Sequence, residues 1–430
     1  FELPEGWEWC RFTSVTVNRD SERKPISSAN RTNVAKIYDY YGASGKIDKI
    51  DKFIFNEKLL LIGEDGANLV TRSKPIAFFA EGQYWVNNHA HCIDSTDKLI
   101  LEYLCLYINA ISLEKYVTGS AQPKMTQDNM NSILIALPPY EEQKRLEFQV
   151  NHILKTVSTI ENEKEDIVNY IISAKSKILD LAIRGKLVPQ DSNDEPASVL
   201  LERIRAEKEE LIKQGKIKRD KKESIIFKGE DNSYYEKVGV EIRCIDSEIP
   251  FEIPDGWMYE RLGNICSIAR GGSPRPIENY LTDDENGLNW IKIGDTEQGG
   301  KYIYSTKEKI RPEGLSKTRY VCSGDFLLTN SMSFGRPYIL RTNGCIHDGW
   351  LVIGGIEIAF HQDYLYYMLS SSIMYNALSS LAVGSTVKNL KSDSVKSLLV
   401  PIPPLAEQAC ISRQIENYFA TMLPIERSLS

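Results

Sequence analysis

The sequence predicts an α+β (mixed) protein: two tandem strand-rich domains with pseudo-two-fold symmetry, separated by long antiparallel coiled-coil helices. Three observations carry this. Gly119-Ser120, Asp128, Ser132, Pro138-Pro139, Glu142-Gln143 and Gln149 recur as Gly384-Ser385, Asp393, Ser397, Pro403-Pro404, Glu407-Gln408 and Gln414, at a constant offset of 265 positions. Upstream, Leu3-Pro4-Glu5-Gly6-Trp7 returns as Ile253-Pro254-Asp255-Gly256-Trp257. After the first Pro-Pro, apolar residues follow one another at alternating steps of four and three. A unit of roughly 140 residues is too long for a solenoid repeat, so two whole domains doing the same kind of job on two targets are expected.

In the first unit, 58–62, 76–79 and 84–86 read as short strands punctuated by Gly42, Gly45, Gly63, Gly66 and Gly82, and 99–111 as a helix. In the second, 290–293, 325–329, 338–341 and 351–353 repeat the strands and 362–378 the helix. Each unit begins at a Pro-acid-Gly-Trp turn and closes on Pro-Pro-x-x-Glu-Gln, which reads as a device for starting a helix.

Between them, Leu146, Val150, Ile153, Val157, Ile160, Lys164, Ile167, Ile171, Ala174, Ile178 and Leu181 form a heptad seam broken once, at Lys164. About 40 residues rising about 1.5 Å each give a rod of roughly 60 Å, more than a compact domain uses internally. Ile411, Ile415, Tyr418, Met422 and Ile425 match Leu146 to Ile160 under the same offset, so the two seams are expected to pack antiparallel. Pro424 stands where Thr159 does and should kink or interrupt the second helix. That helix is also short at Ser430; its distal turns are expected to be trimmed away, natural truncation being the alternative. Arg184-Gly185-Lys186-Leu187-Val188-Pro189 supplies a helix stop, 196–214 reads as a further helix, and an irregular link leads to Pro254. The expected boundaries are a first domain 1–139, a helix 140–184, a helical and basic linker 185–252, a second domain 253–403 and a shortened helix 404–430.

With 42% hydrophobic and 26% charged residues in 430, the chain reads as globular rather than disordered. Its apolar runs are too short to cross a bilayer, and the start at Phe1 carries no signal pattern and suggests a trimmed chain. Eight scattered cysteines without a C-x-x-C pair disfavour zinc knuckles and disulfides, and make a reducing cytoplasm the simplest location. The net charge of −7 weighs mildly against nucleic acid without excluding it. The cluster Lys213, Lys216, Lys218, Arg219, Lys221 and Lys222 reads either as a solvated helix end or as a phosphate contact.

Catalytic motifs are missing. Gly42-Ala43-Ser44-Gly45-Lys46 is too short to wrap a phosphate, no H-E-x-x-H occurs, and Leu137 in Leu137-Pro138-Pro139-Tyr140 cannot accept a hydrogen bond from a target amino group. In Asn87-Asn88-His89-Ala90-His91 the two histidines would share one face of a strand, with no carboxylate at ligand spacing, so neither catalytic nor metal-ligating residues are assigned. That segment, with Asn330 to Arg336 and His347-Asp348-Gly349-Trp350, has the polar and glycine mix suited either to reading base edges or to hydrogen-bonded turns serving only the fold.

Two such domains, each running from Pro-acid-Gly-Trp to Gly-Ser…Pro-Pro-x-x-Glu-Gln and a heptad helix, resemble the specificity subunit of type I restriction-modification enzymes. The marks are Pro138-Pro139-Tyr140-Glu141-Glu142-Gln143, Pro403-Pro404-Leu405-Ala406-Glu407-Gln408 and Arg184-Gly185-Lys186-Leu187-Val188-Pro189. The resemblance implies a DNA-binding, non-catalytic subunit whose two target-recognition domains each read half of a bipartite double-stranded DNA site. Its helices would set the spacing and dock two modification (methyltransferase) subunits, directing adenine methylation, and restriction subunits would join this core. It implies no cofactor on this chain, with S-adenosylmethionine, ATP and magnesium on the partners, and no membrane association. DNA contacts are then expected from Lys36, Tyr38, Arg72, Lys74, Asn88, His89, Gln122 and Lys124 in the first domain. In the second they are expected from Arg270, Ser273, Arg275, Lys292, Asn330, Ser331, Arg336, Lys388 and Asn389. The competing reading is a coiled-coil scaffold with two protein-binding domains, whose DNA affinity would be absent or sequence-blind; an enzyme with an unrecognised site is the third.

Overall fold

The computed structural model describes residues 2–119, 122–219, 223–297, 299–331, 334–382 and 389–429, and the chain divides into two compact units, Phe1–Glu163 and Lys164–Ser430.

In the first unit the strand Leu59–Gly63 is buried on both faces, and its period of two sorts its side chains between two cores. Leu60 and Ile62 join Leu101, Leu104 and Ile108 of the helix Lys98–Ala110. Leu59 and Leu61 join Phe55, Tyr84 and Val86 of a second sheet. The order in the first sheet is Val17–Asn18, Ala90–Asp94, Leu59–Gly63, Ala77–Ala80; in the second it is Gly45–Ile50, Tyr38–Gly42, Gln83–Val86, Phe55–Asn56. Among the described residues of these two sheets, only the Tyr38–Gly42 and Gln83–Val86 pair is parallel.

The second unit repeats this plan. Ser267–Arg270, Trp350–Gly354, Phe326–Thr329 and Pro337–Leu340 lie in the same order, extended by Tyr302–Ile303. In the facing sheet Leu288–Ile291 runs parallel to Gly344–Ile346, as its counterpart does. Phe326 and Leu328 enter one core while Leu327 enters the other with Ile291, Ile346 and Trp350. The duplication therefore extends to topology in a stretch where the two sequences share no motif.

The repeated motifs form a clasp at the base of each domain. Gly6 and Gly256, both at φ +87°, turn the chain so that Trp7 and Trp257 bond back to Pro4 and Pro254. Glu8–Arg11 then pairs antiparallel with Leu134–Leu137, and Met258–Arg261 with Leu399–Ile402. Arg11 donates to the Ser132 carbonyl and Arg261 to that of Ser397 at 2.9 Å. The Gln of Pro-Pro-x-x-Glu-Gln ties the first helical turn to the strand before it. Gln143 Nε2 donates to the Pro138 carbonyl (2.9 Å) and Gln408 Nε2 to that of Pro403 (3.0 Å).

The heptad segment is one continuous helix, Tyr140–Ile183. Its last turns pair within the second unit: Lys175 reaches Glu426 (2.6 Å) and lies over Phe419, while Leu179, Ala182 and Ile183 share a core with Ile411 and Ile415. Farther back, Ile153, Val157 and Ile160 are exposed. Gly185, at φ +66°, ends the helix, and a Cβ there would stand 2.3 Å from Pro254 Cγ, so the stop signal is also a close contact with the second domain's first turn.

Four expectations are corrected. The second helix runs unbroken from Leu405 to Leu429 through Pro424, although that proline has no N–H to give the preceding turn. The segment 362–378 is two helices, Gln362–Ser370 and Ser372–Leu381, because Ser371 is extended and its hydroxyl caps the second by accepting from the Met374 amide. The link before Pro254 holds a three-stranded antiparallel sheet, Ser224–Lys228, Tyr234–Val238 and Glu241–Cys244, turning at Asn232 and Gly239. His89 and His91 do not share a strand face, since the strand begins at Ala90. The helix Ala197–Lys213 forms as expected and ends at Gly215, with Arg219 held by Glu209 at 2.6 Å; Asp220, Lys221 and Lys222 of the basic cluster lie outside the described residues.

Candidate nucleic-acid interface

Each domain carries a short loop at the same end of its central sheet, and backbone bonds give the two loops one geometry. In the first, the Glu64 amide bonds to the His89 carbonyl (2.9 Å), the Asn87 amide to that of Tyr41 (3.1 Å), and the Met125 amide to that of Glu64 (2.7 Å). In the second, Asn330 bonds to Gly349 (2.9 Å), His347 to Ile291 (3.1 Å) and Leu390 to Asn330 (2.8 Å). Met125 and Leu390 are 265 positions apart, so the repeat offset reaches this loop. The side chain that opens each loop caps it: Asn87 Oδ1 accepts from the His89 amide and His347 Nδ1 from that of Gly349, both at 2.8 Å.

In the first domain the fold brings Asn88, His89, Gln122 and Lys124 around this loop. Lys124 Nζ lies 3.1 Å from Glu64, itself held by Arg23, and the exposed His89 bonds Asp65 at 2.7 Å. Below them His91 is fully buried, with Nδ1 2.6 Å from Asp20 Oδ2 and Nε2 2.9 Å from the Met125 carbonyl. Burial would raise the Asp20 carboxyl, but the His91 bond, the Cys92 amide and Arg23 outweigh it and hold it below the usual range.

Other candidates sit elsewhere. Lys36 is held on Asp48 (2.8 Å) and the Lys49 carbonyl, and Tyr38 packs its ring edge-on to Phe53. Arg72 is turned inward: its guanidinium donates to the carbonyls of Ile108, Asn109 and Ile111, capping the helix Lys98–Ala110. Those bonds engage its guanidinium within the domain. Lys74, beside it, is exposed.

In the second domain Asp348 gathers four of the nine candidates. Its carbonyl accepts from Arg270 Nε (2.9 Å) and Asn330 Nδ2 (2.8 Å); its carboxylate accepts from Ser273 Oγ (2.9 Å) and Arg275 (3.4 Å). His347 Nδ1 accepts from Gly349, so its proton sits on Nε2, 3.1 Å from Asp348 Oδ1. Burial holds the His347 imidazole below its ordinary value. For Asp348 burial opposes ionisation, but the Ser273 hydroxyl and the charges of His347, Arg270 and Arg275 prevail and lower the carboxyl. A cleft of ≈780 Å³ opens here, with Trp290 and Ile277 as apolar lining and Arg275 and Lys292 as its cations. Lys292 pairs with Glu308, Arg336 is exposed, Ser331 and Asn389 are half-buried, and Lys388 lies outside the described residues. Asn330 is fully buried, so it supports the loop from beneath rather than facing outward.

Sequence reasoning passed over Asp348, Arg23 and Glu64. Asp348 stood in a segment already singled out by its polar and glycine mix. Arg23 and Glu64 carry no local signal, because their pairing joins residues 41 positions apart. Among the described residues no group of His, Cys, Asp and Glu is placed to hold a metal ion, and no helix is long and apolar enough to cross a membrane.

The model of the type I restriction modification DNA specificity domain matches residues 4–178 and again 254–429. The specificity subunit of the type I restriction enzyme EcoEI of Escherichia coli is 27% identical, over 97% of this chain and 78% of that protein. Its EcoAI counterpart is 28% identical over 63% of this chain and 53% of that protein. An HsdS subunit from Thermoanaerobacter tengcongensis shares the fold at TM-score 0.50 and 16% identity, over 100% of this chain and 93% of that one. A chain from a structure describing complex assembly and conformational transition of the type I R-M system does so at 0.55 and 16%, over 100% and 94%. Both halves of the sequence carry the family's domain, and the chain belongs to the type I restriction-modification DNA specificity family, as a specificity subunit with two DNA-recognition domains and a long helix between them.

Proposed function

We propose that the two domains, 1–139 and 253–403, each read one half of a bipartite double-stranded DNA site, while the helices 140–184 and 404–430 set the gap and dock two modification subunits. The observation that carries this is the duplicated loop: one backbone geometry presents different polar side chains at the same end of the same sheet, as expected of two readers with one scaffold and two targets. In this reading the chain is non-catalytic and binds no cofactor. S-adenosylmethionine, ATP and magnesium belong to modification and restriction subunits, which flip and methylate adenine or cleave, and the assembly works in the cytoplasm. The net charge of −7 fits a subunit that borrows positive surface from partners to enclose the duplex.

The contact set we propose is the loop group Asn88, His89, Gln122 and Lys124 in the first domain. In the second it is Arg270, Ser273, Arg275, Lys292, Arg336 and Asn389, with Lys36, Tyr38, Lys74, Ser331 and Lys388 as flanking contacts. The test is binding of the chain, reconstituted with its modification subunits, to duplexes bearing a site mapped from genomic methylation. Preference over random DNA is expected. Exchange of residues 1–139 for those of a relative should change one half-site only; a change in both, or sequence-blind binding, overturns the assignment.

A further inference from the structure

The two loops differ at their apex, and the difference is chemical. The apex residue is Asn88 in the first domain and Asp348 in the second, each one position after the capping side chain of Asn87 or His347. Both apex backbones are pinned by donors to the carbonyl, Arg23 on Asn88 (3.3 Å) and Arg270 and Asn330 on Asp348 (2.9 and 2.8 Å). With the carbonyl held inward, the side chain is what each loop offers outward. Asn88 is exposed; Asp348 is fixed by Ser273 on one oxygen, while its other oxygen has only the longer contact to the exposed Arg275.

The side chains present different patterns to a base edge. A primary amide offers a donor and an acceptor side by side, which matches the acceptor N7 and donor N6 of adenine. A carboxylate offers acceptors only, which suits the N4 donor of cytosine and is repelled by the paired acceptors of guanine. A cation beside the carboxylate, as Arg275 is, adds donors that match the guanine paired with that cytosine.

We infer that Asn88 and Asp348 are equivalent specificity-determining positions, Asn88 selecting adenine in the half-site of the first domain and Asp348 selecting cytosine in that of the second. This rests on the reading of one half-site per domain.

The test is the base-preference profile of randomised duplexes bound by the full chain with its modification subunits, for wild type, Asn88→Asp, Asp348→Asn and Asn88→Ala. Asp348→Asn should move the preference at one position from cytosine to adenine, and Asn88→Asp should do the reverse in the other half-site, each by about ten- to hundredfold. The salt dependence, which reports phosphate contacts, should stay unchanged. Asn88→Ala removes an exposed side chain and should flatten one position while leaving thermal unfolding as in wild type. A wild-type profile with preference that survives at every position in all three variants overturns the apex assignment alone. A wild-type profile without preference overturns the half-site reading and this inference with it.

Discussion

Gln143 and Gln408 are the same motif residue 265 positions apart, but the structure loads them unequally. Gln143 makes one bond through Nε2, to the Pro138 carbonyl, and its Oε1 has no partner. Gln408, fully buried, donates to the carbonyls of Pro403 and Ala359 (3.0 Å each) and accepts from the His361 amide (2.8 Å), so it also secures the chain entering the helix Gln362–Ser370. Truncating Gln408 to Ala strands two buried carbonyls and one amide; truncating Gln143 strands one carbonyl. At about 1–1.5 kcal/mol per bond, Gln408→Ala should cost about 3–4.5 kcal/mol against about 1–1.5 for Gln143→Ala, leaving a gap of about 2–3 kcal/mol. The assay is urea unfolding followed unit by unit, since a two-unit chain need not unfold in one step. Trp7, Trp9 and Trp85 report the first unit; Trp257, Trp290 and Trp350 report the second once the other set is replaced by Phe. Equal losses, or a larger loss at Gln143, would refute the claim that bond inventory rather than motif membership sets the cost.

Glu236 is buried against Arg261 (2.9 Å) and Arg243; burial opposes its charge, but these partners and Ser224 bring its pKa from 4.5 to about 2. A depressed acid stabilises above its unfolded pKa and loses that contribution as pH falls through the folded one. The second unit should therefore lose about 3 kcal/mol between about pH 5 and about pH 2 in denaturant titrations, and Glu236→Gln should abolish that part of the acid dependence. Arg72→Ala should cost the first unit about 1–3 kcal/mol in thermal unfolding while leaving the DNA base preference intact, because its bonds go to helix carbonyls. Arg275→Ala should do the opposite: its side chain is 79% exposed, so stability should move by less than about 0.5 kcal/mol while DNA affinity falls and base preference at one position of the second half-site relaxes. Gly185→Ala should destabilise the second unit by about 2–4 kcal/mol, from a left-handed backbone and a Cβ 2.3 Å from Pro254 Cγ.

What could be read from the residues followed the range of the forces involved. The strand Leu59–Gly63, the helix Lys98–Ala110 and the helix Tyr140–Ile183 are written in local periodicity, and they stand within a residue or two of expectation. The sheet of Ser224–Lys228 and its neighbours was hidden because its strands are short, half-exposed and preceded by a basic run; the turn at Asn232 was the available signal. The helix-capping role of Arg72 was illegible for another reason. A cation in a loop looks the same whether it faces phosphate or a helix end, and only the fold shows that the carbonyls of Ile108, Asn109 and Ile111 lie within its reach. His91 likewise looked like the partner of His89 until the start of the strand at Ala90 sent one inward and left the other in the loop.

The repeat offset is preserved where side chains bond backbone across the clasp, at Gln143 and Gln408, and in the Met125 and Leu390 amides that brace the loops. It lapses at the apex, where asparagine faces aspartate. Mechanics explains the division. A clasp residue has fixed partners, so a substitution there strands buried groups. An apex residue has its carbonyl pinned by other side chains, so the backbone of the loop keeps those bonds when the apex side chain changes, although at Asp348 the contacts of the carboxylate with Ser273 and Arg275 change with it. On the apex inference, specificity would sit on side chains outside the clasp, so that a new half-site is selected while the clasp, the sheets and the helices stay as they are.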